Sequence, residues 1–292
     1  MKAKVEKQIC KINKVTSFIP EHIFECGQCF RWNKQPDGSY TGVFLGNVLN
    51  VKVEKKEVIF EGICEGNMKE TITQYFDLGR DYNKIQTTLK KIDEPLKNSI
   101  EYGSGIRLLN QDLWETIISF IISANNNIPR IKGIIERISK QYGEPIIWNN
   151  DSYYTFPTAQ RLAFATIEDL RKLGLGFRDK YVYETTKMIL SKKIDLEKLQ
   201  QEKDTQKVRN ILLTIPGVGP KVADCILLFS TLKRLEVFPI DVWVRRVMND
   251  LYIHQEDEQT VNKKEIENLA KQKYGDLAGI AQQYLFYWKR EA

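Results

Sequence analysis

The chain has 292 residues and carries 44 lysines and arginines against 38 aspartates and glutamates, a formal charge of +6. That length accommodates two modest domains with sizeable cores, and the mild positive charge suits a nucleic-acid partner without requiring one. Five cysteines, at positions 10, 26, 29, 64 and 225, with no signal-peptide pattern and no long apolar run, argue against a disulfide scaffold and a membrane span. The expected compartment is a reducing, cytoplasmic one.

Cys26 and Cys29 form a Cys-x-x-Cys pair, a spacing used in zinc and redox sites. A tetrahedral zinc needs two further ligands, and the only histidines are His22 and His254, so no metal is expected. From Phe30 to Phe60 short alternating runs, including Val51, Val53, Val58 and Phe60, are separated by Pro36-Asp37-Gly38, Gly46-Asn47 and Lys55-Lys56. This spacing predicts an antiparallel meander. A helical stretch from about Lys69 to Leu96 is expected to pack on it, giving an α+β N-terminal antiparallel-sheet domain over residues 1–100.

Beyond residue 100 strand signals nearly vanish, and residues 101–292 read as an all-α domain. Asp112-Leu113-Trp114-Glu115 has the form of a capping box opening an apolar helix through Ile117, Ile118 and Ile121, which ends at Asn125, Asn126 and Asn127. Further helices are predicted over residues 131–142, 166–172, 178–192, 242–251, 263–274 and 277–289.

Between them lies Leu212 to Ile226, Leu-Leu-Thr-Ile-Pro-Gly-Val-Gly-Pro-Lys-Val-Ala-Asp-Cys-Ile. Val208, Ile211, Leu212 and Ile215 recur at helical spacing before the break at Pro216, Gly217 and Gly219, and Val222, Ile226 and Phe229 recur after it. The stretch reads as helix, hairpin, helix. Gly217, Val218 and Gly219 would bring backbone N–H groups to a helix N-terminus, where orphan donors and the positive dipole end favour a phosphate. An ordinary inter-helix turn satisfies the same glycines. Lys221 and Cys225 lie four apart on one face, distinct from the predicted core face, so a reactive group would be presented away from the core. Asp241 precedes the stripe Val244, Val247, Met248 and Leu251 and reads as a helix N-cap. Gln282 and Phe286 share a face of the last helix, as a site for one planar ligand or as a surface pair.

Pro-Gly-Val-Gly-Pro-Lys-Val-Ala-Asp-Cys-Ile followed by Phe-Pro-Ile-Asp-Val-Trp resembles the signature of the helix-hairpin-helix DNA glycosylases. Four further segments make the chain similar to the 8-oxoguanine DNA glycosylase family: Cys26 to Trp32, Gly105 to Asp112, Ser123 to Ile131 and Arg171 to Arg178. The resemblance runs in matching order from about residue 24 onward. It implies a TATA-box-binding-protein-like N-terminal domain followed by a mainly α-helical domain with a helix-hairpin-helix motif. The implied activity is that of a bifunctional DNA glycosylase and AP lyase that flips 8-oxoguanine, opposite cytosine, out of duplex DNA in base-excision repair. The expected partner is double-stranded DNA containing 8-oxoguanine, met by a monomer without a cofactor. Some helix-hairpin-helix glycosylases hold an iron–sulfur cluster on four C-terminal cysteines, and no cysteine follows Cys225 here.

In this resemblance Lys221 is the nucleophile at the sugar C1′. Attack requires a neutral amine, which desolvation beneath a flipped nucleotide would favour. Asp241 would stabilise the positive charge that develops on the sugar as the glycosidic bond breaks. Phe286 would stack on the extruded base opposite Cys225 while Gln282 reads its Watson–Crick edge. 8-Oxoguanine differs from guanine by a proton on N7, and the backbone carbonyl of Gly27 is the implied acceptor; the glycine alone reads only as a turn or strand end. Asn125 and Phe177 would fill the gap left in the duplex, and Arg130 and Arg178 would reach the acceptors of the orphaned cytosine. Without the resemblance these are solvated loop arginines and a helix C-cap.

The sequence departs from the family pattern at Trp243, where relatives commonly carry a histidine, and at Phe177, where many carry tyrosine. Two other readings remain: a helix-hairpin-helix glycosylase for alkylated purines or for adenine opposite the lesion, and a non-catalytic grip on DNA. Alkylpurine enzymes typically lack the lysine and adenine enzymes typically carry the cluster, while a bare grip needs none of Lys221, Asp241, Gln282 or Phe286.

Overall fold

The computed structural model describes residues 7–257 and 260–291. The chain opens with strand β1 (Lys7–Asn13), helix α1 (Pro20–Phe24) and strands β2 (Trp32–Lys34), β3 (Tyr40–Phe44), β4 (Asn47–Glu54) and β5 (Glu57–Ile63). All neighbouring strands are antiparallel, in the order β1-β5-β4-β3-β2. The expected meander is β2 to β5. β1 escaped prediction because it is an edge strand whose apolar residues are only half covered; Ile9 is exposed.

The predicted single helix over 69–96 is three helices: α2 (Met68–Tyr75), α3 (Tyr82–Leu89) and α4 (Glu94–Tyr102). Side chains of Asn67, Asp81 and Asp93 accept backbone N–H bonds at their three N-termini, so each has its own start signal. The sheet and α2 enclose one core, with Phe24, Trp32, Phe44, Phe60 and Phe76 at its centre.

Next come α5 (Leu113–Ser123), α6 (Ile128–Tyr142), a two-stranded hairpin of β6 (Pro145–Trp148) and β7 (Asp151–Tyr154), then α7 (Ala159–Leu162), α8 (Ile167–Lys172), α9 (Arg178–Leu190) and α10 (Leu196–Gln201). The β6–β7 hairpin is a strand pair the sequence reading left out. Asn149 and Asn150 turn it in the left-handed region, and Trp148 packs on Val43 and Val48 of the sheet. The chain continues with α11 (Thr205–Leu212), α12 (Pro220–Phe229), α13 (Val242–Met248), α14 (Lys263–Tyr274) and α15 (Ala278–Glu291). Among the described residues no helix is long and apolar enough to cross a membrane.

α5 is apolar on every side and is accordingly buried on every side, with α6, α9 and α12 packed around it. Its capping box is half formed: the Asp112 carboxylate accepts from the Glu115 N–H at 2.8 Å. The Glu115 carboxyl instead faces Arg31 across 4.0 Å, because it is buried beneath the segment that follows Gly27. The helical core reaches across the chain to include Cys26, Phe30, Leu96 and Ile100. α15 lies against α4, α13 and α14, so the last helix and the loop around Gly27 meet at the centre of the molecule.

Candidate active site

The hairpin between α11 and α12 is held from three sides. Val208, Leu212 and Ile215 are buried as expected, whereas Ile211 is 38% exposed and does not belong to the core face. Arg209 pairs with Asp224 to tie the two helices together, and burial pushes the Asp224 carboxyl up to about 7 against the pull of that guanidinium. Gly217 has φ +82°, and a Cβ there would lie 2.6 Å from Cδ2 of Tyr181. Both the left-handed backbone and the ring demand glycine. The Val218 N–H bonds to the Ile215 carbonyl at 3.0 Å and is not free for an anion. The N–H groups of Gly217 and Gly219 have no backbone acceptor among the described residues, so two of the three expected donors are available.

Lys221 is half-buried in the first turn of α12. Its Nζ lies 5.5 Å from the centroid of the Phe120 ring and near the Cys225 thiol. It has no ion pair among the described residues. Cys225 does not lie on an outward face: every residue from Val222 to Phe229 is buried, and the thiol forms the floor of a cleft. Burial pushes that thiol up to about 11, opposed by the charge of Lys221.

Asp241 follows a buried run, Val237 and Phe238 to Ile240, and caps α13 by accepting the Val244 N–H at 2.8 Å. The cap engages one carboxylate oxygen, and Asp241 and Lys221 both line one cleft. Beside it Val242 is 62% exposed, and the Trp243 ring packs 5.5 Å from the Arg246 guanidinium.

The same cleft is lined by Gly27, Gln282 and Phe286. Gln282 is not a surface residue: it is 4% exposed, and its Oε1 is buried without a hydrogen-bond partner. An unsatisfied buried amide oxygen is costly and marks a place where a ligand donor fits. The Phe286 ring reaches within 3.3 Å of the position a Gly27 Cβ would occupy. The cavity left between these groups is about 40 Å³, close to the share of one water molecule and smaller than a purine.

The Gly27 loop, φ +82° at the glycine, is fastened on both flanks. Gln28 is fully buried; its Nε2 donates to the carbonyls of Ile23 at 2.9 Å and Arg107 at 2.8 Å, and its Oε1 accepts the Leu109 N–H at 2.9 Å. Gln283 Nε2 donates to the Cys26 carbonyl and Arg290 Nη2 to the Glu25 carbonyl. The Gly27 carbonyl itself accepts no bond among the described residues. Cys26 and Cys29 are both buried, in different cores, with thiols pushed up by burial.

The second set of expected residues gathers at the end of α5. Asn125 is exposed with φ +50°, one residue beyond the C-cap Ala124. Arg130 is exposed, and Phe177 is 58% exposed, its ring under the Arg178 guanidinium at 4.3 Å and edge-on to Tyr181 at 6.2 Å. Arg178 is not a solvated loop arginine: it is buried, with Nε donating to the Ala124 carbonyl at 2.9 Å and Nη2 to the Asn125 carbonyl at 2.7 Å. Tyr181, which touches both Phe177 and Gly217, joins this group to the hairpin. Sequence reasoning missed Phe120, Gln283, Arg290 and Tyr181. Only Gln283 carried a signal, as a second amide beside Gln282.

A family model described as the 8-oxoguanine DNA glycosylase N-terminal domain matches residues 11–117, and one for HhH-GPD superfamily base excision DNA repair proteins matches residues 118–274. The chain is similar to a probable N-glycosylase/DNA lyase of Methanothermobacter thermautotrophicus, with 34% identity over 250 residues, 79% of this chain and 77% of that one. It is also similar to the N-glycosylase/DNA lyase OGG1 of Arabidopsis thaliana, 28% identical across 90% of this chain and 75% of that one. Among solved structures, the Clostridium acetobutylicum 8-oxoguanine glycosylase/lyase, in complex with double-stranded DNA containing cytosine opposite 8-oxoG, superposes with a TM-score of 0.92 at 40% identity. That match covers 98% of this chain and 97% of the clostridial one.

Proposed function

The chain belongs to the 8-oxoguanine DNA glycosylase family within the HhH-GPD superfamily, and from that premise we propose how its residues work. The protein is a bifunctional 8-oxoguanine DNA glycosylase and DNA lyase of base-excision repair. One observation carries the assignment of roles: Gly27, Lys221, Cys225, Asp241, Gln282 and Phe286, separated by up to 259 positions in the sequence, line one cleft.

In this reading the Lys221 nitrogen attacks C1′ of the flipped nucleoside as the bond to N9 breaks, and the base leaves with that electron pair. Asp241, fixed by its cap bond, faces the sugar and lowers the energy of the cationic transition state. The aminal at C1′ opens to an imine, and loss of a C2′ proton expels the 3′ phosphate and nicks the strand. The base is held between Phe286 and Cys225. Gln282, whose Oε1 lacks a partner in the free protein, receives a donor from the Watson–Crick edge, and the unengaged Gly27 carbonyl receives the N7 proton.

The helix-hairpin-helix motif is assigned to residues 205–229, with the Gly217 and Gly219 N–H groups on a phosphate. Asn125 and Phe177 enter the vacated stack, and Arg130 with Arg178 face a cytosine on the other strand. Arg130 has donors free for this, whereas Arg178 must exchange carbonyl bonds for base contacts. The sheet half, residues 1–100, is taken as the TATA-box-binding-protein-like domain and residues 101–292 as the glycosylase domain, acting as a monomer in the cell interior without a cofactor.

Borohydride reduction during reaction with an 8-oxoguanine duplex tests the roles directly. The wild-type protein is expected to give a covalent adduct, and Lys221→Gln to bind the lesion without one. Equal affinity for lesion and undamaged duplexes, with no cleavage, overturns the reading.

A further inference from the structure

We infer that Gln283 and Arg290 are positioning residues that hold the Gly27 carbonyl in line with the base edge, and so set discrimination between 8-oxoguanine and guanine. The inference rests on the proposed substrate and adds residues to which no role has been given. Gln283 is 1% exposed, and its amide donates to the Cys26 carbonyl across 257 positions of sequence. Arg290, two turns away on the same helix, donates to the Glu25 carbonyl. Its guanidinium also lies 5.1 Å from the centroid of the Phe286 ring, and its Nη1 is 3.1 Å from the place of a Gly27 Cβ.

The geometry makes this more than packing. Two consecutive carbonyls before Gly27 are tied to α15, and the residue after it is tied to residues 107–111 by Gln28, leaving the Gly27 carbonyl as the unengaged acceptor of the loop. Glycine at φ +82° has a soft backbone, so without these straps its peptide plane would rotate. α15 also carries Gln282 and Phe286. The straps therefore fix the distance between the acceptor for N7–H and the groups that hold the rest of the base, and acceptor direction decides whether a hydrogen bond forms.

An abasic site offers no base to read, which separates positioning from general damage. Gln283→Met keeps the length of the side chain and removes the donor. Single-turnover excision of 8-oxoguanine is expected to fall about tenfold, the rate equivalent of one misaligned hydrogen bond. Nicking of a preformed abasic site is expected to stay within about threefold. Arg290→Met, on a partly exposed side chain, is expected to act in the same direction, with Arg290→Lys recovering part of the loss. Undiminished excision in both methionine variants overturns the inference, as does an equal loss at lesion and abasic sites. A wild-type protein that does not prefer 8-oxoguanine to guanine fails at the earlier step, the substrate itself, and overturns both.

Discussion

In the cleft, the two carbonyls before Gly27 are engaged by Gln283 and Arg290, Gln28 is bonded to Arg107 and Leu109, and Gln282 and Cys225 are buried. At the end of α5, by contrast, Phe177 and Arg130 are exposed, Asn125 sits in a left-handed conformation, and Arg178 holds the turn together through the carbonyls of Ala124 and Asn125. In the proposed roles, the lesion side is held by the bonds of Gln28, Gln283 and Arg290 before a base arrives. The gap side, in the same proposed roles, is a turn whose central arginine exchanges internal bonds for contacts to the opposite strand. On these proposed roles, discrimination of the damaged base rests on packed groups, and the response to the opposite strand rests on an exchange of hydrogen bonds.

The largest effect is expected from removing the proposed nucleophile on the lesion side. Lys221→Gln is expected to lower excision by at least about 10³-fold while leaving duplex affinity intact, as read by single-turnover cleavage and gel-shift titration; a residual adduct on borohydride treatment would move the nucleophile elsewhere. Asp241→Asn comes next, at about 10²-fold in excision. Asparagine also caps helices, so thermal unfolding should hardly shift; a large drop in melting temperature would make Asp241 a structural cap before a catalytic group. On the gap side, Arg178→Ala leaves two carbonyls without their donor and is expected to cost about 2 kcal/mol in urea denaturation, together with the preference for cytosine. Loss of stability with the cytosine preference intact would confine Arg178 to its internal role.

The smallest effect concerns the link between the two sides. Glu115 stands on α5 and faces Arg31, which follows the Gly27 loop. Burial pushes its carboxyl up to about 7, with Arg31 opposing and Asp112 adding to the shift. A carboxyl that holds its proton more tightly folded than unfolded contributes most below its ordinary range, near 4.5, and loses that contribution as pH rises through 7. Between pH 5 and 7 the wild-type protein is therefore expected to lose about 1 to 2 kcal/mol relative to Glu115→Gln. Parallel stability curves for the two proteins would show that Glu115 is ionised throughout.

The sequence was most legible where local physics decides. The Gly217 break, the Asp241 cap and the apolar α5 follow from backbone conformation, capping and periodicity, and each is found where it was expected. It was least legible where contacts are long-range. Nothing near Gln283 or Arg290 announces a partner at Cys26 or Glu25, and Gln282 reads as a surface residue until the packing of α15 against α4 is known. Spacing made Cys225 an outward-facing partner of Lys221 because a helix wheel has no knowledge of what covers it; α5 and α11 pack on α12, and every residue from Val222 to Phe229 is buried. The turns at Asp77 and after Leu89 were missed for another reason: the capping residues Asp81 and Asp93 were present, but the apolar spacing carried through them.

The bond from Gln283 to Cys26 closes a loop of 257 positions. Contacts of such separation form late, because a long closure must be completed before they are rewarded. In the proposed roles, docking of α15 onto the loop around Gly27 is the late step of folding that brings Gln282 and Phe286 to the cleft that Lys221 lines.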